Sequence, residues 1–174
     1  DAPADTPPNE FCYGSGFVKP CFATAPSGMQ KLTADIDTGG SSCATLVTDI
    51  GACVIASGTL GIDAGVTVHV TGTRPLVLVA TSSITIAGTL DVSSSITGTT
   101  GAGADMPGCD AGTAPTGAGG GAGGSFGSKG GNGGITGGGG AGNILTVTAL
   151  RGGCAGQNGG GGGGGTGAHG GGAA

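Results

Sequence analysis

The sequence predicts an all-β protein: a short, disulfide-stapled β-solenoid bearing Gly-rich excursions of polyproline II or polyglycine II type. Three observations lead there. Short runs rich in Val, Ile, Leu and Thr alternate with period 2 and break at Gly or Ser, as in Val66-Thr67-Val68-His69-Val70 and Ile84-Thr85-Ile86, which is the signal of half-buried strands. Glycine supplies 46 of the 174 residues, against about 7% in ordinary proteins. Cysteine occurs six times, at Cys12, Cys21, Cys43, Cys53, Cys109 and Cys154, with no C-x-x-C pair of the kind that holds zinc or runs thiol exchange.

The remaining composition narrows the function classes. Five Lys and Arg residues in a chain of net charge −5 cannot form the basic face of a nucleic-acid binder. No apolar run approaches the ~20 residues of a membrane span. The helix formers Glu, Lys, Arg, Gln and Met are scarce, which argues against a helical domain. Low charge with a mean hydropathy of +0.25 also separates the chain from ordinary disordered sequences.

Three segments follow in order. Residues 1–30 form a Pro-rich leader and a Cys-bearing lead-in. The opening Asp1-Ala2-Pro3-Ala4-Asp5-Thr6-Pro7-Pro8 reads as a mature N-terminus after processing, extended and solvated. Residues 31–97 are the expected coils. Their strands break at Ser57-Gly58, Ala64-Gly65, Thr71-Gly72 and Ala87-Gly88, while Leu76-Val77-Leu78-Val79 is apolar enough for burial on both faces. Ser57-Gly58-Thr59-Leu60 is echoed by Ala87-Gly88-Thr89-Leu90, and Asp37, Asp63 and Asp91 recur at spacings of 26 and 28. Periods of this length suggest stacked coils that bury their apolar faces on one another.

Residues 98–174 hold 35 of the glycines. A three-residue frame runs through Gly121, Gly124, Gly127, Gly130 and Gly133, and another through Gly153, Gly156, Gly159, Gly162 and Gly165. Three residues per turn is the period of polyproline II, and a glycine at every third position bares one face to a neighbouring backbone. Pro is absent after Pro115, which disfavours a collagen triple helix. Between the runs, residues 143–150 (Asn143-Ile144-Leu145-Thr146-Val147-Thr148-Ala149-Leu150) read as a further strand rejoining the coils.

Six cysteines allow 15 pairings; neighbour pairing, Cys12–Cys21, Cys43–Cys53 and Cys109–Cys154, is the expected set, the last clamping both ends of the first glycine run. Disulfides of this density place the chain in an oxidising compartment, outside the cell or on its surface.

The run Ser83-Ile84-Thr85-Ile86-Ala87-Gly88-Thr89-Leu90-Asp91-Val92, with Arg74-Pro75-Leu76-Val77-Leu78-Val79-Ala80 and the closing Gly-Ala-His-Gly-Gly-Gly, resembles glycine-rich secreted or surface proteins of myxobacteria and similar bacteria. The resemblance implies export and a β-solenoid, and no known activity. The glycine runs are also similar to the polyglycine II bundles of snow-flea antifreeze proteins and some phage tip adhesins.

Candidate chemistry is sparse. Asp37, Asp63 and Asp91 at one-coil spacing would stack as a carboxylate ladder able to serve hydrolysis or Ca²⁺, but Asp beside Gly or Ser at a corner is the ordinary Asx-turn residue. His69 points outward with Thr67 and Thr71 if the valines face inward. His169 lies about 100 residues away, too isolated for a zinc site. No enzyme, cofactor or metal is expected. The expected role is an extracellular structural protein that self-associates into a fibre or coat through open strand edges. A monomeric adhesin for a cell-surface or glycan ligand, and an ice-binding protein, are the alternatives.

Overall fold

The computed structural model describes residues 10–95, 98–134 and 136–161. The described residues contain eight strands and no helix. They are β1 (Phe11–Cys12), β2 (Cys21–Phe22), β3 (Met29–Lys31), β4 (Ile36–Asp37), β5 (Cys53–Ile62), β6 (Thr67–Thr71), β7 (Leu76–Ile86) and β8 (Thr89–Asp91).

β1 and β2 form an antiparallel hairpin, closed by the Cys12–Cys21 disulfide. The others form two parallel three-stranded sheets, ordered β3-β5-β7 and β4-β6-β8. Each pass of the chain therefore adds one strand to each sheet. The period-2 pattern decides which side chains face between them. In β6, Val68 and Val70 are buried while Thr67 and His69 are exposed. Leu60 and Ile62 of β5 and Leu76 of β7 join them, with Ile36 and Leu32, in one apolar core.

A second cluster lies on the outer face of β5 and β7, where Val54 and Val79 pack on Phe22, with Tyr13, Val77 and Ala56 beside them. The run Leu76–Val79 thus has apolar cover on both faces. The Cys43–Cys53 disulfide ties the preceding loop to the start of β5. Arg74 pins the same loop: its Nε donates to Thr38 O at 2.7 Å, and its Nη2 lies 3.1 Å from Cys43 Sγ. The corner here needs Gly72, which has φ +112° and would drive a Cβ into Thr38 and Asp37.

Two expectations for this region are corrected. Ser57-Gly58 does not end a strand. β5 runs through it, with only a register slip between Ser57 and Thr59, where Gly58 lies against Gly28. Leu76–Val79 and Ile84–Ile86 are likewise halves of a single strand, because β5 is long enough to pair with both.

After β8 the chain returns along β6, with Ala102 N donating to Val70 O and Gly103 N to Gly72 O. The glycine-rich segment is attached there and follows a three-residue period. Thr113 and Thr116 donate to Gly140 and Gly137; Gly120 and Gly123 donate to Gly134 and Gly131; Gly160 and Gln157 donate to Gly119 and Ala122. Within each of these three pairs a step of three along one run is matched by a step of three, in the opposite direction, along its partner; between Thr116 and Gly120 the step is four against three. A Cβ on Gly121 or Gly124 would fall on the carbonyls of Gln157 or Cys154, and one on Gly130 or Gly133 on those of Gly123 or Gly120. Gly127, the remaining member of that frame, has open space.

In the second run the amides of Gln157 and Gly160 donate to the first run, and the carbonyl of Gly153, a member of the expected frame, accepts from Asp105 N at 3.1 Å. Gly162 and Gly165 lie outside the described residues.

Polar side chains stitch these runs together. Gln157 Nε2 donates to the carbonyls of Ala111, Thr113 and Gly140, and its Oε1 accepts from Ala122 N at 3.1 Å. Buried Ser125 donates to Gly142 O at 2.7 Å and accepts from Gly130 N at 3.0 Å. The Cys109–Cys154 disulfide clamps the segment's base, and Arg151 donates to the carbonyls of Met106 and Pro107 while its Nη2 lies 3.0 Å from Cys109 Sγ. The strand expected at 143–150 is not formed. Ile144 and Val147 are exposed and the stretch finds no ladder partner among the described residues, so its β-prone composition has nothing to pair with.

Candidate assembly edge

β7 is the end strand of its sheet, and along its 11 residues only the side facing β5 is laddered among the described residues. Parallel strands pair residues of like orientation, so Ile84 and Ile86, in register with buried Leu60 and Ile62, point to the core face. They remain 44% and 47% exposed, and no strand among the described residues continues the stack beyond them. Thr81, Ser82, Ser83 and Thr85 are exposed as well.

A groove of about 330 Å³ runs beside this strand and reaches Ile84. Val77, Leu78, Val79 and Ala80 all line it, with Tyr13, Val18 and Pro20 of the hairpin segment opposite. Four consecutive strand residues meet one groove when the groove follows the strand's edge, since alternate side chains point to opposite faces. The edge therefore offers backbone donors and acceptors, an apolar wall and two exposed isoleucines.

The six cysteines form the three expected neighbour pairs. The three aspartates do not form one column. Asp37 is paired in register with Thr71, Asp91 with His69, and Asp63 lies beyond the end of β5. The echo at 26 and 28 residues is not the stacking offset: Asp37 and Asp91 end β4 and β8 in the same sheet, two residues out of register across β6, and Asp63 follows β5 in the other sheet. Ser57-Gly58-Thr59-Leu60 and Ala87-Gly88-Thr89-Leu90 are not register partners either: Leu60 faces Ile84 and Leu90 faces Val68.

Local geometry accounts for each carboxylate. Asp37 Oδ1 accepts from Gly39 N at 2.8 Å, and Asp63 pairs with Lys31. Asp91 Oδ1 accepts from Ser93 N at 2.9 Å. Hydrogen bonds from Ser93, and then the neighbouring His69 ring 3.1 Å away, hold the Asp91 carboxyl below the usual carboxylate range. Asp110 is lowered in the same way by the amides of Asn143 and Gly112, each 2.8 Å from it. His69 is exposed, as expected from β6; His169 lies outside the described residues.

Glu10, Cys12 and Cys21 converge closely enough to hold a cation, but the two sulfurs are bonded to each other and offer no thiolate. None of these groups forms a catalytic constellation among the described residues. Arg74, Arg151 and Gln157 carry structural roles that no spacing pattern announced; Arg151 lying three residues before Cys154 was the only local hint.

No protein family, curated protein or solved structure matches the chain. No helix among the described residues is long and apolar enough to cross a membrane.

Proposed function

We propose that the chain is an extracellular structural protein, a self-assembling subunit of a fibre or surface coat. Its body is read as a short β-solenoid, with the glycine runs as polyglycine II-type helices packed beside it. The observation that carries the reading is the outer edge of β7, which has no ladder partner among the described residues, with Ile84 and Ile86 exposed along its second half. Unpaired strand edges of this kind are templates for pairing with another chain.

Other features support it. Each chain pass adds a strand to both sheets, as stacking coils require. The three-residue hydrogen-bond period matches that of polyproline II. Three disulfides suit an oxidising, extracellular setting. The sequence resemblance to exported glycine-rich proteins points the same way.

Negative-stain electron microscopy of the unreduced protein, with light scattering on the same sample, tests the reading. Filaments or sheets with a constant repeat are expected. A monodisperse species of 15.7 kDa at every concentration would overturn it and move the weight to a monomeric adhesin or an ice-binding protein, separable by glycan and thermal-hysteresis assays.

A further inference from the structure

The self-association proposed above leaves open which surface meets β7. One candidate is the far side of the same sheets, in a head-to-tail stack. Two features disfavour it. The opposite edge, β3, has three residues against 11 in β7, and it carries Lys31, already paired with Asp63. In the other sheet, Asp35 accepts from His69 N, and His69 is in register with Asp91. Continuing that order would set Asp35 of the next copy against Asp91, and like charges directly opposite are destabilising.

β7 is complementary to itself. No Asp, Glu, Lys, Arg or His occurs from Pro75 to Leu90, so the strand lacks the Lys and Pro that commonly blunt an edge. We infer that β7 pairs antiparallel with β7 of a second copy across a two-fold axis at Thr81. Thr81 is the midpoint of Leu76–Ile86, so the whole strand is paired. Leu78 then lies opposite Ile84 of the second copy, and Leu76 opposite its Ile86. All four side chains belong to the core face: Leu76 and Leu78 pack in the core, while Ile84 and Ile86 continue the rows of Leu60 and Ile62.

The covered half of each strand thus meets the uncovered half of its mate, which is the self-complementarity an isologous contact requires. On the other face, Val77 and Val79 meet Thr85 and Ser83 of the second copy. The groove walled by Tyr13, Val18 and Pro20 receives those small side chains. This inference rests on the self-association reading and specifies its contact; the repeating unit of any fibre is then a closed pair.

Sedimentation velocity of the full, oxidised chain over a concentration series is the test, with three variants. The wild type is expected at twice 15.7 kDa or a multiple of that pair. The double variant Ile84→Lys, Ile86→Lys changes only exposed positions and is expected to weaken pairing at least tenfold. Met29→Lys, on the other edge, leaves the mass unchanged. Thr81→Cys faces itself across the axis, within disulfide reach of its own copy, and forms a covalent dimer on mild oxidation. A wild type that stays monomeric overturns the inference together with the self-association reading. An oligomer that keeps its mass in the lysine variant and does not cross-link through Thr81→Cys overturns the inference alone.

Discussion

Leu60 and Ile84 are register partners on adjacent strands, yet Leu60 is fully buried and Ile84 is 44% exposed. The same column of apolar side chains is closed on one side and open on the other. Among the described residues β5 has a neighbour on each edge and β7 has one.

The two leucine-like positions should therefore differ in cost. Leu60→Ala removes a fully buried side chain and is expected to cost about 2–5 kcal/mol. Ile84→Ala is expected to cost under about 1 kcal/mol in dilute solution, as surface substitutions do. Urea unfolding at low protein concentration, disulfides intact, checks both; equal costs would mean that Ile84 is covered within the single chain.

The glycine runs predict a pattern of tolerance. Gly124→Ala and Gly133→Ala would drive a Cβ into the carbonyls of Cys154 and Gly120, with an expected loss of about 1–3 kcal/mol each. Gly131→Ala and Gly134→Ala meet open space and should be neutral or stabilising by up to about 1 kcal/mol, by restricting the unfolded chain. Melting temperatures of the four variants would reveal the split; uniform effects would contradict packed runs with a fixed three-residue frame.

Reduction should release the glycine segment first. Cys109–Cys154 spans 45 residues, against 9 and 10 for the other pairs. In the chain-entropy account a loop of that size contributes about 4 kcal/mol, and a ten-residue loop about 2.7 kcal/mol. Arg151 is held beside this disulfide and Lys129 lies within the segment it clamps. Trypsin is expected to cut after these two residues earlier in reduced than in oxidised protein, before it cuts after Lys19 or Lys31. Peptide mass mapping over time reads the order; an unchanged order on reduction would show that the runs hold without the clamp.

The Asp110 carboxyl supplies a pH signature. Its folded pKa lies below the usual carboxylate value, so its contribution is present above the unfolded value of about 3.9. That contribution is lost as pH falls through the lower folded value. Asp110→Asn should be less stable than wild type at pH 7, with the gap closing as the pH falls from about 4 toward 2. Unfolding midpoints measured across that range decide it; a gap independent of pH would mean that the charge on Asp110 plays no part in holding Asn143 and Gly112.

The sequence by itself determined the features that depend on neighbours along the chain. Alternation at Val66–Val70 identified the buried valines of β6. Glycines at every third position from Gly121 marked a backbone face that neighbouring carbonyls occupy at four of the five sites. Cysteines 9 and 10 residues apart found each other, as did the pair enclosing the first glycine run. Each of these is a local period or a short loop, and periodicity records which side of a segment lacks water.

Tertiary structure alone decided what lies beside what. It set Asp37 and Asp91 out of register in one sheet and Asp63 after a strand of the other, fused Leu76–Val79 with Ile84–Ile86 into one strand, and left residues 143–150 without a ladder among the described residues. It also placed Gln157 across three carbonyls from other parts of the glycine segment. These outcomes depend on contacts between residues tens of positions apart, where loop geometry and available partners select the neighbour. Ile84 is as apolar as Leu60; it is exposed because β7 ends its sheet among the described residues.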